Sequence, residues 1–305
     1  MSDSDLPVLV IGATGFVGRR VVSRLRATGR SVRCLVRTPT KADFLAADGV
    51  EVVQGDMLEA AAAERAIAGV AAVIMCVHTI SPQPANKNDD GFMDVEAKGL
   101  RNVTAGCAAH GVRRVLYVTA IGVAKYGPSS WLRGRWATEQ ALLSSGLDAT
   151  VVRPGMIVGR GGGGFNLVTR AATRSVAMGV GSARLRFRTI SVDDLAQDLV
   201  DLIDEPESFG KTFDAGSDDV LTMRQMAAIA AASIGRRPGH LLFMPAGLVR
   251  ALAPVVERLT KVPKGAISGF VGDGPQEDMI GNPTELRAVL GRNDRSFREA
   301  IVNQL

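Results

Sequence analysis

The chain has 305 residues, 46% of them hydrophobic and 22% charged, which places it with ordinary globular proteins that bury a large core. Its formal charge is +5, but the lysines and arginines are scattered among acids and form no runs, so no nucleic-acid partner is expected. Cys34, Cys76 and Cys107 sit in apolar segments without paired spacing, which argues against a disulfide framework or a zinc site and fits a reducing, cytoplasmic setting. The short acidic start MSDSDLP runs straight into a strand pattern, and no apolar run is long enough to span a bilayer.

In chain order, six β-branched runs read as strands: VLVIG (8–12), SVRCLVR (31–37), VEVVQGD (50–56), AAVIMCV (71–77), VRRVLYVT (112–119) and DATVVRP (148–154). Between them lie stretches with helical spacing, such as FVGRRVVSRLRATG and VEAKGLRNVTAGCAAHG, the second closing on Gly111 as a helix C-terminus should. Strands apolar on both faces and separated by helices predict a Rossmann-type, doubly wound parallel α/β sheet over residues 1–160. Past that point the rhythm changes. The glycine run GRGGGGF (159–165) reads as a loop, followed by a helix, a strand RLRFRTIS and a helix VDDLAQDLVDLIDEP that Asp193 or Asp194 starts. Three more helical segments, near 222–235, 246–260 and 284–303, complete a smaller, mainly helical C-terminal lobe (161–305) interwoven with the first domain.

The strongest motif is the first. VLVIGATGFVG sets Gly12, Gly15 and Gly18 at G-x-x-G-x-x-G spacing after a strand and at the opening of a helix, the context in which such a loop takes a pyrophosphate on a helix N-terminus. The loop residues Gly12, Thr14, Gly15, Phe16, Val17 and Gly18 are therefore expected at a dinucleotide; the alternative is that the glycines serve only turn and packing. At the end of the second strand Val36 stands where an acid would meet a ribose 2′-hydroxyl, with Arg37 beside it and Lys41 a turn later. Cations there suit a 2′-phosphate, so NADP(H) is expected over NAD(H), unless Arg37 is simply a solvated loop cation. Asp56 and Met57, closing the third strand, are expected at the adenine.

GATGFVG, VRTPTKA, QGDM, VEAKGLRNVTAGCAAHGVRRVLYVTAIGV, EQALLSSGLDATVVRPGMIVG and SVDDLAQDLVDLIDEPESFGKTFDAG together resemble the short-chain dehydrogenase/reductase superfamily. More narrowly they resemble its atypical NmrA-like branch, which includes the NADPH-binding accessory subunit of respiratory complex I. The resemblance implies that Pro154, Gly155, Met156 and Ile157 bind the carboxamide side of the nicotinamide, and that Val77 and Thr119 lie near the cofactor. It also implies a Tyr and a Lys at Y-x-x-x-K spacing, the Tyr as proton donor; here the spacing falls on Trp131 and Arg135. Indole exchanges no proton near neutrality, and a guanidinium stays charged, so the usual acid is missing while Arg135 is expected to hold cofactor and Trp131 to wall the substrate pocket, with Trp136 turned to the protein body. Ala120 and Glu96 stand where the superfamily often has Ser and Asn.

Two other residues are candidate proton donors. Tyr126, beside Lys125 in AIGVAKYGPSS, could reach the nicotinamide or be a turn residue; His78 after the fourth strand could touch cofactor or substrate or bond only to backbone. Arg184, Arg186 and Arg188 share one face of their strand, which selects an anionic or quinone-like substrate if it faces the cleft and is a solvated face otherwise. The function expected is an NADP(H)-dependent oxidoreductase acting on a small or quinone-like acceptor without the usual Tyr-Lys pair. The alternative is a non-catalytic NADP(H)-binding sensor or assembly protein, with a protein partner or homo-oligomer.

Overall fold

The computed structural model describes residues 6–42, 45, 49–77, 92–260, 265–272, 274, 277–302 and 304–305. Seven strands make one parallel sheet: β1 (Val8–Ile11), β2 (Val32–Val36), β3 (Glu51–Gln54), β4 (Ala72–Met75), β5 (Arg114–Val118), β6 (Asp148–Pro154) and a late arrival, Lys211–Ala215. The late strand lies outside β6, and the order then runs β5, β4, β1, β2, β3, every neighbouring pair parallel. The order therefore reverses between β1 and β4, the switch point where open α/β sheets bind ligands.

The two-residue period of a strand explains why these runs are apolar throughout. Val8 and Val10 point into one core, with Val21, Val22 and Leu25 of α1 (Phe16–Ala27), whereas Leu9 and Ile11 point into the other. That second core is closed by α2 (Ala60–Ile67), α3 (Phe92–His110) and α4 (Ser130–Leu143). Gly111 follows α3 at φ +68°, the left-handed stop its sequence promised.

Beyond β6 the chain adds β7 (Met156–Val158), α5 (Gly163–Thr173), β8 (Val176–Val180), β9 (Arg186–Ser191) and α6 (Val192–Asp201). After β10, the seventh strand of the large sheet (Lys211–Ala215), come β11 (Val220–Thr222), α7 (Met223–Ser233), β12 (His240–Met244), α8 (Ala246–Thr260), α9 (Ala266–Val271), α10 (Thr284–Leu290) and α11 (Phe297–Ile301). These form a small sheet β11-β9-β7, a two-stranded parallel ribbon β12-β8, and a third core around Phe165, Met226 and Phe297. The interweaving is physical: α6 packs on α1, and β10 extends the first sheet.

Several local expectations change. Helix α6 is capped by Ser191, whose Oγ accepts from Asp193 N at 3.2 Å, while Asp193 and Asp194 occupy its first turn. The segment 284–303 is two short helices rather than one, and β9 begins at Arg186. The glycine run is only partly loop, since α5 starts within it at Gly163; Cβ atoms at Gly159, Gly161 and Gly162 would lie 2.9–3.4 Å from the ring of Phe16. The first part of the run is held to glycine by an aromatic ring pressed against it, whereas a Cβ at Gly163 would meet nothing within 4 Å.

One buried cation ties the late turns to the sheet. Arg114 of β5 donates to Ile203 O (2.9 Å), Leu202 O (2.5 Å), Asp148 O (2.6 Å), Thr150 Oγ1 (2.8 Å) and Ser208 Oγ (2.8 Å). Burial pulls its pKa down to about 10.

Candidate functional site

A cavity of about 870 Å³ opens at the carboxyl ends of the strands. One half is bounded by the β1–α1 turn, by Val36 and Arg37 after β2, and by Asp56 and Met57 after β3. The other half is bounded by Cys76, Val77, Thr119 and the Pro154–Ile157 segment, and beyond them by Trp131, Phe187, Met223, Phe243, Phe270 and Met279.

The turn has the form a pyrophosphate needs. Gly12 sits at φ +87°, and a Cβ there would lie 2.5 Å from the carbonyl oxygen of Cys76. A Cβ at Gly18 would lie 2.2 Å from the Gly12 oxygen, so the third glycine is fixed by helix–strand approach. Helix α1 begins at Gly15 with no side-chain cap and no acidic residue in its first turn, leaving amide groups and the positive end of the helix for an anion. Thr14, Gly15, Phe16 and Val17 line the cavity, while Gly18 lies behind them.

At the adenosine side Arg37 is half exposed, with Nη1 4.0 Å from Asp56 Oδ2. The other oxygen of Asp56 accepts from Leu58 N at 3.0 Å, an Asx turn that holds the carboxylate at the rim. Met57 is buried against Gly99 of α3, where a Cβ would meet its side chain at 2.6 Å. Lys41 closes a short 3-10 turn, and its side chain lies outside what the structure describes, as does the whole of His78.

Helix α4 carries the largest corrections. Trp131, Arg135 and Glu139 form an i, i+4, i+8 stripe facing the sheet. Trp131 lines the cavity and meets Phe270 edge to face, ring centroids 5.3 Å apart. Arg135, expected to hold cofactor, is 1% exposed and is absent from the cavity lining. It donates to Val118 O (3.1 Å) and Val77 O (3.0 Å), approaches Glu96 Oε2 at 3.5 Å and stacks over the Trp131 ring at 4.9 Å. The guanidinium ties together the ends of two strands and braces the wall from behind. Trp136 is half-buried against the small cluster of Val123, Trp131, Leu132 and Ala266.

Sequence reasoning gave Glu139 no role. It is wholly buried, accepts from Thr119 Oγ1 (2.5 Å) and Arg153 Nε (3.1 Å), and also pairs with Arg153 Nη2. The Thr119 hydroxyl is thereby committed as a donor to a carboxylate. The signal lay in the spacing from Arg135, a second charge one turn on along an otherwise buried stripe.

The structure does not bring Tyr126 to the cavity. The residue is 86% exposed, and Lys125 Nζ lies 5.4 Å from its ring centroid. The arginine row also stays out of the cavity: Arg186 pairs with Asp278, and Arg188 donates to Ile280 O (2.6 Å) and Ser217 O (2.5 Å), while Phe187 between them faces in. Among the described lining residues the titratable side chains are Arg37, Asp56 and Cys76, and burial pushes the Cys76 thiol up to about 12.

A doubly wound parallel sheet with a glycine turn at its switch point defines a dinucleotide-binding α/β protein. A family model described as NAD(P)H-binding matches residues 12–206, and the chain belongs to that NAD(P)H-binding family, in the NmrA-like, atypical branch of the short-chain dehydrogenases/reductases. It is similar to Quinone oxidoreductase 2 of Escherichia coli (strain K12), at 26% identity over 92% of this chain and 96% of the relative. It is also similar to NADH dehydrogenase [ubiquinone] 1 alpha subcomplex subunit 9 of Arabidopsis thaliana, at 27% over 86% of this chain and 66% of the relative. Three other curated relatives are matched over about half of their own length or less, 44%, 46% and 35%. Among solved structures, the NADPH-dependent quinone oxidoreductase QOR2 from Escherichia coli, complexed with NADPH, superimposes with a TM-score of 0.70 at 22% identity, covering 96% of this chain and 98% of that one, which speaks for the fold.

Proposed function

We propose that the protein is an NADPH-dependent reductase of a planar, apolar, quinone-like acceptor and that none of its described residues supplies the proton. The observation that carries this reading is the lining beyond Thr119: aromatic and methionine side chains with no charged group among the described residues. Such a slot suits the stacking of a flat ring, and its described side chains offer no charge to a carboxylate or phosphate. The one hydroxyl among the described residues of this half, that of Thr119, is already donated to Glu139.

Bound reduced nicotinamide would supply hydride. The chain's part is placement. The Gly12–Gly18 turn and the amide end of α1 hold the phosphates, Arg37 the 2′-phosphate, Asp56 and Met57 the adenine, and Val77, Thr119 and Pro154–Ile157 the nicotinamide side. Trp131 walls the acceptor face, and Arg135 is a positioning residue. An acceptor whose reduced form is stable as an anion needs no enzyme acid, because solvent supplies its proton after release. Simple aldehydes and ketones, whose reduction generates an alkoxide, would be poor substrates.

The test is NADPH oxidation by the purified protein with naphthoquinones and benzoquinones against aldehydes, simple ketones and enones, alongside NADPH binding by fluorescence. Turnover of quinones without turnover of aldehydes supports the reading. Tight NADPH binding with every acceptor silent would overturn it and leave an NADP(H)-binding accessory protein, a role in keeping with the similarity to the complex I subunit.

A further inference from the structure

Helix α8 presents a large apolar face to solvent. Two of its charged side chains turn inward, while Arg258 is exposed: Glu257 is buried and accepts from Gly265 N and Ile267 N, both at 2.8 Å, at the start of α9, and half-buried Arg250 donates to Gly272 O at 2.6 Å. Leu248, Leu252, Val255 and Leu259, at i, i+4, i+7 and i+11, form a stripe facing solvent, with Leu259 77% exposed. The ribbon that leads into α8 does the same. Val176, Met178 and Val180 of β8 and Leu242 of β12 are exposed on its outer face, while Ala177 and Leu241 turn into the core.

This face carries charge of one sign. Residues 174–180 and 236–260 contain a single carboxylate, the inward Glu257. At the amino ends of the two ribbon strands, Arg174, Arg236, Arg237 and His240 surround an open hollow of about 390 Å³. None of the three arginines forms an ion pair with a described residue; Arg236 donates to Thr173 O at 3.2 Å. The apolar face also continues into the cavity. Val180 at the ribbon's end and Phe270 on α9, which packs on α8, are both exposed and both line it.

We infer that this face docks on the surface of an anionic lipid bilayer, with the basic hollow at the phosphates and the α8 stripe in the acyl boundary, so that the cavity mouth takes a lipophilic acceptor from the membrane. Apolar stripes flanked by cations are what interfacial helices present to anionic lipid. A second copy is a poorer occupant, because its matching face would bring cations with no exposed carboxylate to meet them. The delivery of acceptor rests on the reductase reading; the docking does not.

The experiment is flotation of the whole chain with vesicles of phosphatidylcholine plus phosphatidylglycerol, against phosphatidylcholine alone, at low and high salt. Binding to the anionic vesicles, weakened by salt, is expected. Arg236→Ala with Arg237→Ala should lower the partition by about fivefold per arginine, and Leu252→Glu with Leu259→Glu should abolish it, with circular dichroism and NADPH affinity unchanged. No flotation, or equal flotation on neutral vesicles, overturns the inference. So does a dimer that the leucine variant dissociates while vesicle binding stays absent. Turnover of a water-soluble short-chain quinone without vesicles tests the reductase reading separately, so the two can fail independently.

Discussion

Replacing Arg135 by Met separates two roles that sequence and structure assign to the same side chain. If Arg135 held the cofactor, its loss would weaken NADPH binding and leave the apoprotein's stability nearly intact. The structure instead gives it two backbone carbonyls at 3.0–3.1 Å and the wholly buried Glu96 at 3.5 Å. Methionine keeps the stem against Trp131 but removes every donor, so Glu96 and the two carbonyls lose the guanidinium. Breaking a buried pair from one side costs about 3–5 kcal/mol. At about 2 °C per kcal/mol for a chain of this size, the apoprotein midpoint should fall by about 6–10 °C. Thermal unfolding by circular dichroism without ligand measures the fall, and NADPH titration well below the transition measures the affinity, which should change little. The double variant Arg135→Met, Glu96→Gln should recover part of the loss, since a neutral amide at that position has less need of the guanidinium. An unchanged midpoint together with a large loss of NADPH affinity would refute the positioning argument and restore Arg135 to the cofactor.

Arg37→Ala should weaken NADPH by about 10- to 150-fold, the worth of a charge-assisted bond of ~1.5–3 kcal/mol, and leave NADH nearly unchanged; equal losses for both would show that Arg37 does not meet the 2′-phosphate. Burial pushes the thiols of Cys34, Cys76 and Cys107 up to about 12, so iodoacetamide at neutral pH should label the native protein about three orders of magnitude more slowly than a free thiol, with full rates restored in denaturant. Asp198 of α6 is held well above the usual carboxylate range, by burial first and then by Asp294, against the pull of Arg292. Its contribution is therefore favourable at acid pH and is lost as pH rises through the folded value, so Asp198→Asn should gain stability relative to the parent on going from pH 5 to pH 8. Arg292 keeps Asp201 at 3.4 Å and Asp294 at 3.7 Å in that variant, and thermal midpoints across the range would decide the sign.

What could be read from the sequence followed the hydrophobic pattern. Six strands and the glycine turn were legible because each is a short apolar run closed by a turn signal, and both faces of the sheet are covered. The seventh strand was not, because KTFDA carries Lys211 and Asp214 on an edge where only alternate residues, Phe213 and Ala215, are buried. The glycine run gave no sign of its packing, since the ring that crowds Gly159, Gly161 and Gly162, Phe16, is some 145 residues earlier in the chain. Helix α4 misled for a related reason: its buried face holds Arg135 and Glu139, so the amphipathic pattern that marks an inward side is blurred, and nothing local tells a charge paired within the fold from one aimed at a ligand.

That pairing also explains how the end of the cavity beyond Thr119, so close to buried charges, shows no charge among its described residues. Arg135 is turned to Glu96 and two carbonyls, and Glu139 is held by Thr119 and Arg153. Both ionic groups on the buried face of α4 are consumed one layer behind the wall, and what reaches the cavity is the indole of Trp131. Reverting Trp131 to Tyr would place a phenol on this wall without the lysine that lowers its pKa in the superfamily's usual pair, in a setting braced by a guanidinium already engaged elsewhere. The expected outcome is no gain of aldehyde reduction and a modest loss with quinones, read from initial rates of NADPH oxidation. Aldehyde turnover in Trp131→Tyr would show that the missing acid alone, and not the apolar slot around it, limits the chemistry.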